Sequence, residues 1–292
     1  MQRAIPMAFD EASTTIPPTV KEMPLPRQGP EPGEPRETVV EVKDLTVERN
    51  RSIVIENANF EIRRGNYIGM VGPNGGGKTT LLRAMLGIIP FKDGQVRLFG
   101  EDIKEFDNWE KIAYLSQHAI NFDEKFPLSV RELVTLGRID RSKIGKPMNS
   151  DDREIVDRIM DFMGLTELSG KRIGQLSGGQ KQRVVLAKSL VREPSLIVMD
   201  EPVSGVDPET QERFYKKLSD LNLEKDITIL IVSHDLAAVF CRMSHVMCVN
   251  RYVRTSPITD DFDPNPMLKE TYGEHFQFAY HVHECRGLFR NG

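Results

Sequence analysis

A glycine-rich stretch that ends in lysine and threonine has the residue types and spacing to hold a polyphosphate. It matches the pattern G-x-x-x-x-G-K-[ST] over Gly72, Pro73, Asn74, Gly75, Gly76, Gly77, Lys78, Thr79 and Thr80. Glycines let a backbone wrap an anion without Cβ clashes, and a following helix N-terminus aims its N–H groups at the same point. Lys78 can reach the β- and γ-phosphates, and the Thr79 hydroxyl can ligate Mg²⁺. A glycine-rich turn without a ligand is the plainer alternative.

Two carboxylates follow an apolar run further along the chain. Leu196–Met199 leads directly into Asp200 and Glu201. Downstream of a phosphate loop, Asp200 can hold Mg²⁺, in most cases through water, and Glu201 can orient or deprotonate an attacking water. His234 follows a similar run, Ile227–Val232, and could contact a γ-phosphate. A chance pair of acids at a strand end and a structural histidine are the alternatives.

These two apolar runs predict the architecture that positions the side chains. Strands that are hydrophobic on both faces belong to a parallel sheet covered on both sides, and α/β proteins place ligands at the carboxyl ends of such strands. A third buried strand, Tyr67–Val71, is predicted before the phosphate loop. After the loop, apolar residues recur at helical spacing: Leu81, Leu82, Met85 and Leu86. The expected fold class is therefore α/β.

The chain before the phosphate loop has the alternation of half-buried strands instead. From Thr38 onward this pattern predicts an antiparallel opening with strands at Val39–Val42, Leu45–Val47, Ser52–Ile55 and Asn59–Ile62. Further short strands are predicted at Gln95–Phe99 and Ile112–Leu115.

Helical periodicity predicts three segments in the middle of the chain. Apolar residues recur at helical spacing over Val130–Gly137 and again over Ile155–Met163, where Gly164 is placed as the C-cap. Ser177 can cap a third helix that runs from Gly179 to about Val191.

Composition and charge exclude several classes of protein. The 292 residues carry a net charge of −4 and no basic block, so composition gives no indication of nucleic-acid binding. No apolar run approaches the ~18 residues of a membrane span, and Arg3 is not followed by the apolar region of a signal peptide. Three cysteines form no paired framework. We expect a cytoplasmic protein that serves a membrane, if at all, through a partner.

The ends of the chain differ from its centre. Residues 1–37 are rich in proline and predict a disordered tail, with a PxxP-type ligand as the alternative. Residues 38–257 contain all the chemistry-bearing motifs, and residues 258–292 form an extension. In that extension, side chains that can ligate Zn²⁺ or Cu cluster at His275, His281, His283 and Cys285. A mobile tail with scattered histidines is the plainer interpretation.

The order of the motifs resembles that of the ATP-binding-cassette (ABC) ATPases. Leu176–Gln180 spells the LSGGQ signature of that family, and it stands between the phosphate loop and the Asp-Glu strand. Gln117 matches the family's Q-loop, Ser204–Asp207 its D-loop and His234 its switch histidine. The resemblance implies a RecA-like phosphate-loop NTPase core, an antiparallel β subdomain and a helical insert over roughly residues 127–173.

The same resemblance implies how ATP and Mg²⁺ are held. Two subunits of the family pair head-to-tail, with each ATP between one phosphate loop and the partner's signature. The implied catalytic residues are Glu201, His234 and Gln117, and the implied metal ligands are Thr79, Gln117 and Asp200. Nucleotide contacts would include Ser177, Gly178, Gly179, Gln180 and Asp207. Where the family commonly stacks an aromatic residue on adenine, this sequence has Arg49. A guanidinium can also stack on a purine, but base selectivity is open.

Finer similarities point to one branch of the family. Phe122–Val130, Leu136–Arg138, Ile173–Gln175 and Gly205–Asp207 resemble the ATPase subunits of zinc, manganese and iron importers. This implies a homodimer under a separate membrane permease that is fed by an external metal-binding protein. Relatives that import siderophores or cobalamin share the Leu-Gly-Arg element, and an exporter subunit or a soluble ABC ATPase would carry the same core.

Overall fold

The computed structural model describes residues 36–123, 125–139, 146–203 and 206–276. In these ranges the strands are β1 (Thr38–Arg49), β2 (Ser52–Arg63), β3 (Tyr67–Val71), β4 (Asp93–Leu98), β5 (Glu101–Asp102), β6 (Ile112–Leu115), β7 (Leu196–Asp200), β8 (Thr228–Val232), β9 (His245–Asn250) and β10 (Tyr252–Pro257). The helices are α1 (Lys78–Met85), α2 (Val130–Leu136), α3 (Ser150–Phe162), α4 (Gly178–Leu190), α5 (Pro208–Lys225), α6 (Leu236–Arg242) and α7 (Asn265–Tyr272). The proline-rich segment 1–35 lies outside the described residues.

A parallel sheet forms the centre of the molecule. Its strand order is β10-β9-β3-β8-β7-β6, and every neighbouring pair is parallel except the edge pair of β9 and β10. Every residue of β3, β7 and β8 is buried, since hydrophobic clusters cover both faces of the sheet. Parallel strands buried on two faces are continuous apolar runs, and the predicted α/β core is therefore confirmed.

The antiparallel opening is also present, but with fewer and longer strands than expected. A four-stranded sheet has the order β2-β1-β4-β5. The four short strands expected over residues 39–62 are two strands of twelve residues each, β1 and β2. Their register shifts between Val42 and Leu45, where Asp44 takes a left-handed φ of 51°. This bulge breaks the alternation in the sequence but not the strand, since the Asn59 side chain accepts the Asp44 N–H at 3.0 Å.

Helices α2 and α3 form an insert that leaves and re-enters the core at one place. An isolated β-bridge joins Ser129 to Arg172, and Ile173 N donates to Leu128 O at 3.1 Å. These contacts lie at the ends of the expected insert, roughly residues 127–173. Gly164 follows α3 with φ 63°, as its predicted capping role requires. The two ends of the insert are joined by these bonds, and α2 packs against α4, the helix that begins within the LSGGQ sequence. A movement of the insert is therefore expected to move α4 as well.

The described chain continues beyond Pro257 and packs on the central sheet. Helix α7 lies against β9, where Asn250 Nδ2 donates to Thr271 O at 2.8 Å and Leu268 is fully buried. The sequence analysis had placed only an extension here and no helix. His275 is exposed just after α7, whereas His281, His283 and Cys285 lie outside the described residues.

Candidate functional site

The phosphate loop runs from β3 to α1 and is crowded at both ends. Gly72 has φ +154°, and a Cβ there would lie 2.0 Å from Val249 O. Gly77 has φ +100°, and a Cβ there would lie 2.7 Å from Ile55 Cδ1. Neither position has room for a side chain, which explains the need for glycine. The turn between them consists of Pro73, Asn74, Gly75 and Gly76.

Lys78 opens α1 and points back into the loop. Its Nζ donates to Gly72 O at 2.8 Å and to Pro73 O at 3.0 Å, and only 6% of the residue is exposed. Burial lowers the pKa of this ammonium, while the nearby carboxylates of Glu201 and Asp200 act to raise it. A buried cation whose direct partners are neutral carbonyls is suited to receive phosphate oxygens, which would supply the charge-assisted bonds it lacks.

Thr79 and Asp200 bring two oxygen ligands together at the carboxyl end of β7. The Thr79 hydroxyl donates to Asp200 Oδ1 at 3.2 Å, although 121 residues separate them in sequence. Asp200 is 2% exposed, and burial raises the pKa of its carboxyl, an effect that the Thr79 hydrogen bond opposes. Oxygen donors of this kind are the ligands that Mg²⁺ prefers, so this pair fits the metal role predicted for it. Thr80 follows in α1 and is half-buried.

Glu201 is held by the two other residues predicted to be catalytic. Gln117 Nε2 donates to Glu201 Oε2 at 3.0 Å, and His234 Nε2 lies 2.6 Å from Glu201 Oε1. The three residues come from the ends of β6, β7 and β8, which are neighbours in the sheet. His234 was expected beside a γ-phosphate and Gln117 beside a metal. In this structure both side chains contact the glutamate, so their arrangement fixes the position of a candidate general base.

The backbone of Glu201 is unusual. Its φ is +50°, in the left-handed region that few non-glycine residues occupy. Such strain persists where surrounding contacts over-determine the conformation, and it concentrates at functional sites. Here it turns the chain sharply after β7, so that Asp200 and Glu201 diverge toward Thr79 and toward Gln117.

The signature forms the N-terminus of α4. Ser177 Oγ accepts from Gln180 N at 3.3 Å and Gln180 Oε1 accepts from Ser177 N at 3.0 Å, which is a reciprocal capping box. The N–H groups of Gly178 and Gly179 make no hydrogen bond to any described residue. No hydrogen bond among the described residues joins Ser177, Gly178 or Gly179 to the phosphate loop. The helix N-terminus is therefore a second potential anion site, separate from the first.

Comparison with known proteins identifies the family. Residues 55–204 match the family model described as ABC transporter, which is more than half of the 292 residues. The chain belongs to the ABC transporter family. It is 37% identical over 215 residues to the zinc uptake system ATP-binding protein ZurA of Listeria innocua, covering 74% of this chain and 84% of that protein. It is 32% identical over 240 residues to the manganese transport system ATP-binding protein MntB of Bacillus subtilis, covering 82% and 94%.

A solved structure of the family has the same fold. The dimeric ATP-binding cassette MJ0796, in a post-hydrolysis state bound to ADP and Pi, superposes with a TM-score of 0.64 at 26% identity. The match covers 75% of this chain and 99% of that chain. The RecA-like core, antiparallel subdomain and helical insert are thus those of an ABC ATPase domain.

The described part of the D-loop is engaged in capping a helix. Asp207 Oδ1 accepts from Thr210 N at 2.9 Å at the start of α5, and this backbone bond lowers the pKa of the Asp207 carboxyl. Ser204 and Gly205 lie outside the described residues. A contact between Asp207 and nucleotide therefore stays a prediction.

Arg49 ends β1 opposite Ser52 and is exposed. Its guanidinium makes no hydrogen bond or ion pair to another described residue, so its role beside adenine also stays a prediction. Val54 lies nearer the loop, since its Cγ1 would be 3.1 Å from a Cβ on Gly77. Val54 thus gives the rim of the site an apolar surface.

Two glutamines that the sequence analysis missed hold the segment after Glu201. Gln182 Nε2 donates to Pro202 O, and Gln211 Nε2 donates to Val203 O at 3.1 Å and Val206 O at 3.0 Å. Gln182 was detectable in principle: it lies three and four residues before Val185 and Leu186 and therefore shares their buried face of α4. An amide on an apolar helix face needs a specific partner.

The described residues contain no other candidate metal centre and no membrane segment. In residues 36–276, apart from the gaps, no group of three His, Cys, Asp or Glu side chains is placed to hold a metal ion. None of the helices in the same part of the chain combines the length and hydrophobicity that a membrane-spanning segment requires.

Proposed function

We propose that this chain is the ATP-binding and ATP-hydrolysing subunit of an importer for a divalent metal ion, either zinc, manganese or iron. It would work as a homodimer beneath a separate membrane permease that receives metal from an external binding protein. The observation that carries the catalytic part is the Glu201 carboxylate, held between Gln117 and His234 beside Asp200 and the phosphate loop. A base fixed at the carboxyl edge of the sheet is what hydrolysis of a loop-bound phosphate requires.

ATP would enter the loop by replacing bonds that the loop makes with itself. The Lys78 ammonium now binds two backbone carbonyls, and the β- and γ-phosphate oxygens would take over as its partners. The N-terminal N–H groups of α1 would donate to the same phosphates, with the helix dipole adding to the attraction. Transfer of the ammonium from neutral to charged acceptors makes binding favourable despite its burial.

Thr79 and Asp200 would hold Mg²⁺, through the hydroxyl oxygen and through the carboxylate, directly or by way of water. When bound, the ion neutralises charge on the β- and γ-phosphate oxygens. The burial that raises the pKa of Asp200 is then offset by a nearby cation. Gln117, which the family resemblance also assigns to the metal, would have to leave Glu201 to reach it.

Glu201 would accept a proton from the attacking water. Each carboxylate oxygen has two lone-pair sites, and the bonds from Gln117 and His234 occupy one on each oxygen, which leaves room for the water. The contact with His234 would fix the orientation of the Glu201 carboxylate, and the imidazole ring would lie near the attacking water. Hydrolysis would therefore depend on the geometry of all three side chains.

The second anion site at Ser177–Gly179 supports a shared active site. The N–H groups of Gly178 and Gly179 have no hydrogen-bond partner among the described residues, Ser177 is exposed, and no hydrogen bond among those residues joins this segment to the chain's own phosphate loop. A head-to-tail partner would place its ATP on this helix N-terminus, and the likeness to the dimeric MJ0796 structure supports such pairing. ATP bound between the two subunits would then contact both of them and stabilise the dimer.

Metal as the cargo is supported by the relatives. ZurA is named for zinc uptake and MntB for manganese transport, and the chain covers at least 84% of each protein. The subunit would lie on the cytoplasmic face of the membrane. Its permease would dock on the loop after Gln117 and on the insert, where Leu136 and Ile139 are exposed apolar residues. Exposed apolar groups on a surface otherwise rich in charge are common at protein interfaces.

The experiment is reconstitution with the permease and its binding protein. The permease would be co-expressed with this chain, purified as a complex and placed in liposomes with ATP inside and the binding protein outside. We expect ATPase activity that rises when the binding protein carries zinc, manganese or iron, and uptake of the same metal. Lys78→Ala should abolish both, while Lys92→Ala, an exposed lysine, should change neither. ATPase activity indifferent to permease and metal would overturn the proposal.

A further inference from the structure

Gln182 joins the signature helix to the catalytic glutamate of the same subunit. It is 2% exposed, and its side-chain amide donates to the backbone oxygen of Pro202, the residue that follows Glu201. Buried amide-to-carbonyl bonds are costly to break, because the carbonyl is then left without a partner away from water. The position of Pro202 therefore follows the position of α4.

The strained backbone of Glu201 makes its conformation sensitive to the position of Pro202, which Gln182 holds. With φ at +50°, Glu201 relies on restraint from both sides to keep its strained backbone. Its side chain is restrained by Gln117 and His234, and its C-terminal neighbour is restrained by Gln182. A shift of α4 relative to the sheet would pull on Pro202 and turn the Glu201 carboxylate.

The other end of the same helix is the signature. Ser177 and Gln182 are five positions apart on α4, about 7.5 Å of helical rise, with no break between them. A ligand at Ser177–Gly179 would therefore move Gln182 as part of one rigid element. In a head-to-tail dimer that ligand is the ATP bound to the partner's phosphate loop, whereas Glu201 serves the ATP on its own loop.

We infer that Gln182 is a positioning residue that couples the two ATP sites of the dimer: ATP on the signature of one site aligns Glu201 in the other. The inference rests on the homodimer of the proposed function. It gives the buried amide a role in cooperativity beyond holding a turn.

Gln211 provides a matched control. It also donates through a side-chain amide to backbone oxygens of the same segment, Val203 and Val206, but from α5. Loss of Gln211 should loosen the segment without breaking its link to the signature. Gln182→Met removes the donor at similar length, and Gln182→Leu removes it with a branched side chain, so agreement between the two variants shows that the lost hydrogen bond, and not the packing of one side chain, is responsible.

The test is the ATP dependence of hydrolysis by the full-length chain, together with ATP-driven dimerisation in a Glu201→Gln background. Wild type should show a Hill coefficient above 1, with two sites as its ceiling, and both Gln182 variants should fall toward about 1. Their kcat should fall by about 2- to 10-fold, the effect of one neutral hydrogen bond. Gln211→Met should lower kcat similarly and keep the wild-type Hill coefficient.

Three results would overturn the inference. They are a wild-type Hill coefficient of 1, unchanged cooperativity in Gln182→Met and Gln182→Leu, and an equal loss of cooperativity in Gln211→Met. Failure of ATP to drive dimerisation even in the Glu201→Gln chain with native Gln182 would instead contradict the homodimer of the proposed function. Melting temperatures of all variants identify any that fail to fold.

Discussion

His234 Nε2 lies 2.6 Å from Glu201 Oε1, so a residue two positions after β8 orients the carboxylate of the residue that follows β7. With the carboxylate ionised, the imidazole donates this hydrogen bond. The histidine side chain is 47% exposed and the glutamate 18%, so the pair is open to solvent on the histidine side. In the proposed mechanism this contact would make His234 the residue that orients Glu201 toward the attacking water.

His234→Ala should therefore leave ATP binding intact and slow turnover. A charge-assisted hydrogen bond typically contributes enough for a loss of about 10- to 100-fold in kcat. Steady-state kinetics would separate this from a change in KM for ATP. His118→Ala is the control, because His118 is one residue from Gln117 and its ring nitrogen neighbours Asn121 instead of Glu201. A variant with unchanged kcat would remove His234 from the mechanism.

Glu201→Gln should keep ATP binding and suppress turnover by about 10²-fold or more, as expected when a general base is lost. Because ATP then persists between the subunits, the variant should accumulate as an ATP-bound dimer in gel filtration. Glu193→Gln, which alters an exposed ion pair with Arg158, should behave as wild type. Normal turnover in Glu201→Gln would show that another group acts as the general base.

Lys78→Ala should abolish measurable ATP binding. The loop loses its buried cation, and the carbonyls of Gly72 and Pro73 would then face the phosphates without compensation. Equilibrium binding of labelled ATP measures this directly. Binding at the wild-type affinity would show that the loop does not hold the phosphates.

Asp200→Asn should stabilise the protein at neutral pH while it abolishes Mg²⁺-dependent turnover. Burial raises the pKa of Asp200 above its ordinary value of 3.8, so the folded state binds this proton more tightly than the unfolded chain. The stabilisation that the folded state gains from binding this proton is fully present below pH 3.8. It is lost as the pH rises through the folded-state pKa. At any pH above the folded-state pKa the buried carboxylate is ionised, and Asp200→Asn removes that buried charge.

Urea unfolding at a series of pH values from 3.8, the ordinary pKa of the carboxyl, upward to neutral pH checks this sign. The increase in the free energy of unfolding caused by Asp200→Asn should be largest at high pH and should shrink as the pH falls. Asp107→Asn, which changes an exposed carboxylate, should show no such trend. Lower stability of Asp200→Asn at every pH would mean that the carboxylate is stabilised by its surroundings.

Local sequence patterns predicted the parts of the site that are local in the chain. The phosphate loop follows a strand and opens a helix, and Ser177 caps α4, because each depends on residues within a few positions. Long-range contacts were different. Gln117 and Glu201 are 84 residues apart, and a motif can name both residues without indicating that they bind each other.

Two further features were hidden for physical reasons. The bulge at Asp44 reads as a break between strands, because a left-handed residue disrupts the alternation that identifies a strand. Helix α7 has eight residues and gains its stability from packing on β9, so its own sequence carries little helical signal. The link from Gln182 to Pro202 depends on the same kind of tertiary packing.

Mixing of two inactive variants tests whether ATP is hydrolysed in a site shared by two copies of the chain. A Lys78→Ala subunit lacks a working loop, and a Ser177→Arg subunit has a blocked signature, so each homodimer has two damaged sites. Ser177→Arg also removes the cap of α4, and Ser129→Arg is the control for the loss of a helix cap, because Ser129 forms the equivalent capping box on α2. That variant should stay active.

In the mixed dimer both lesions fall in one site and the other site is whole. If the sites act independently and subunits exchange freely, half of the dimers are mixed and activity should recover to about a quarter of wild type. Coupling between the sites would reduce this value, but ATP-driven association of the differently tagged subunits should remain. If mixing restores no activity and ATP never brings the subunits together, the shared site is wrong for this chain.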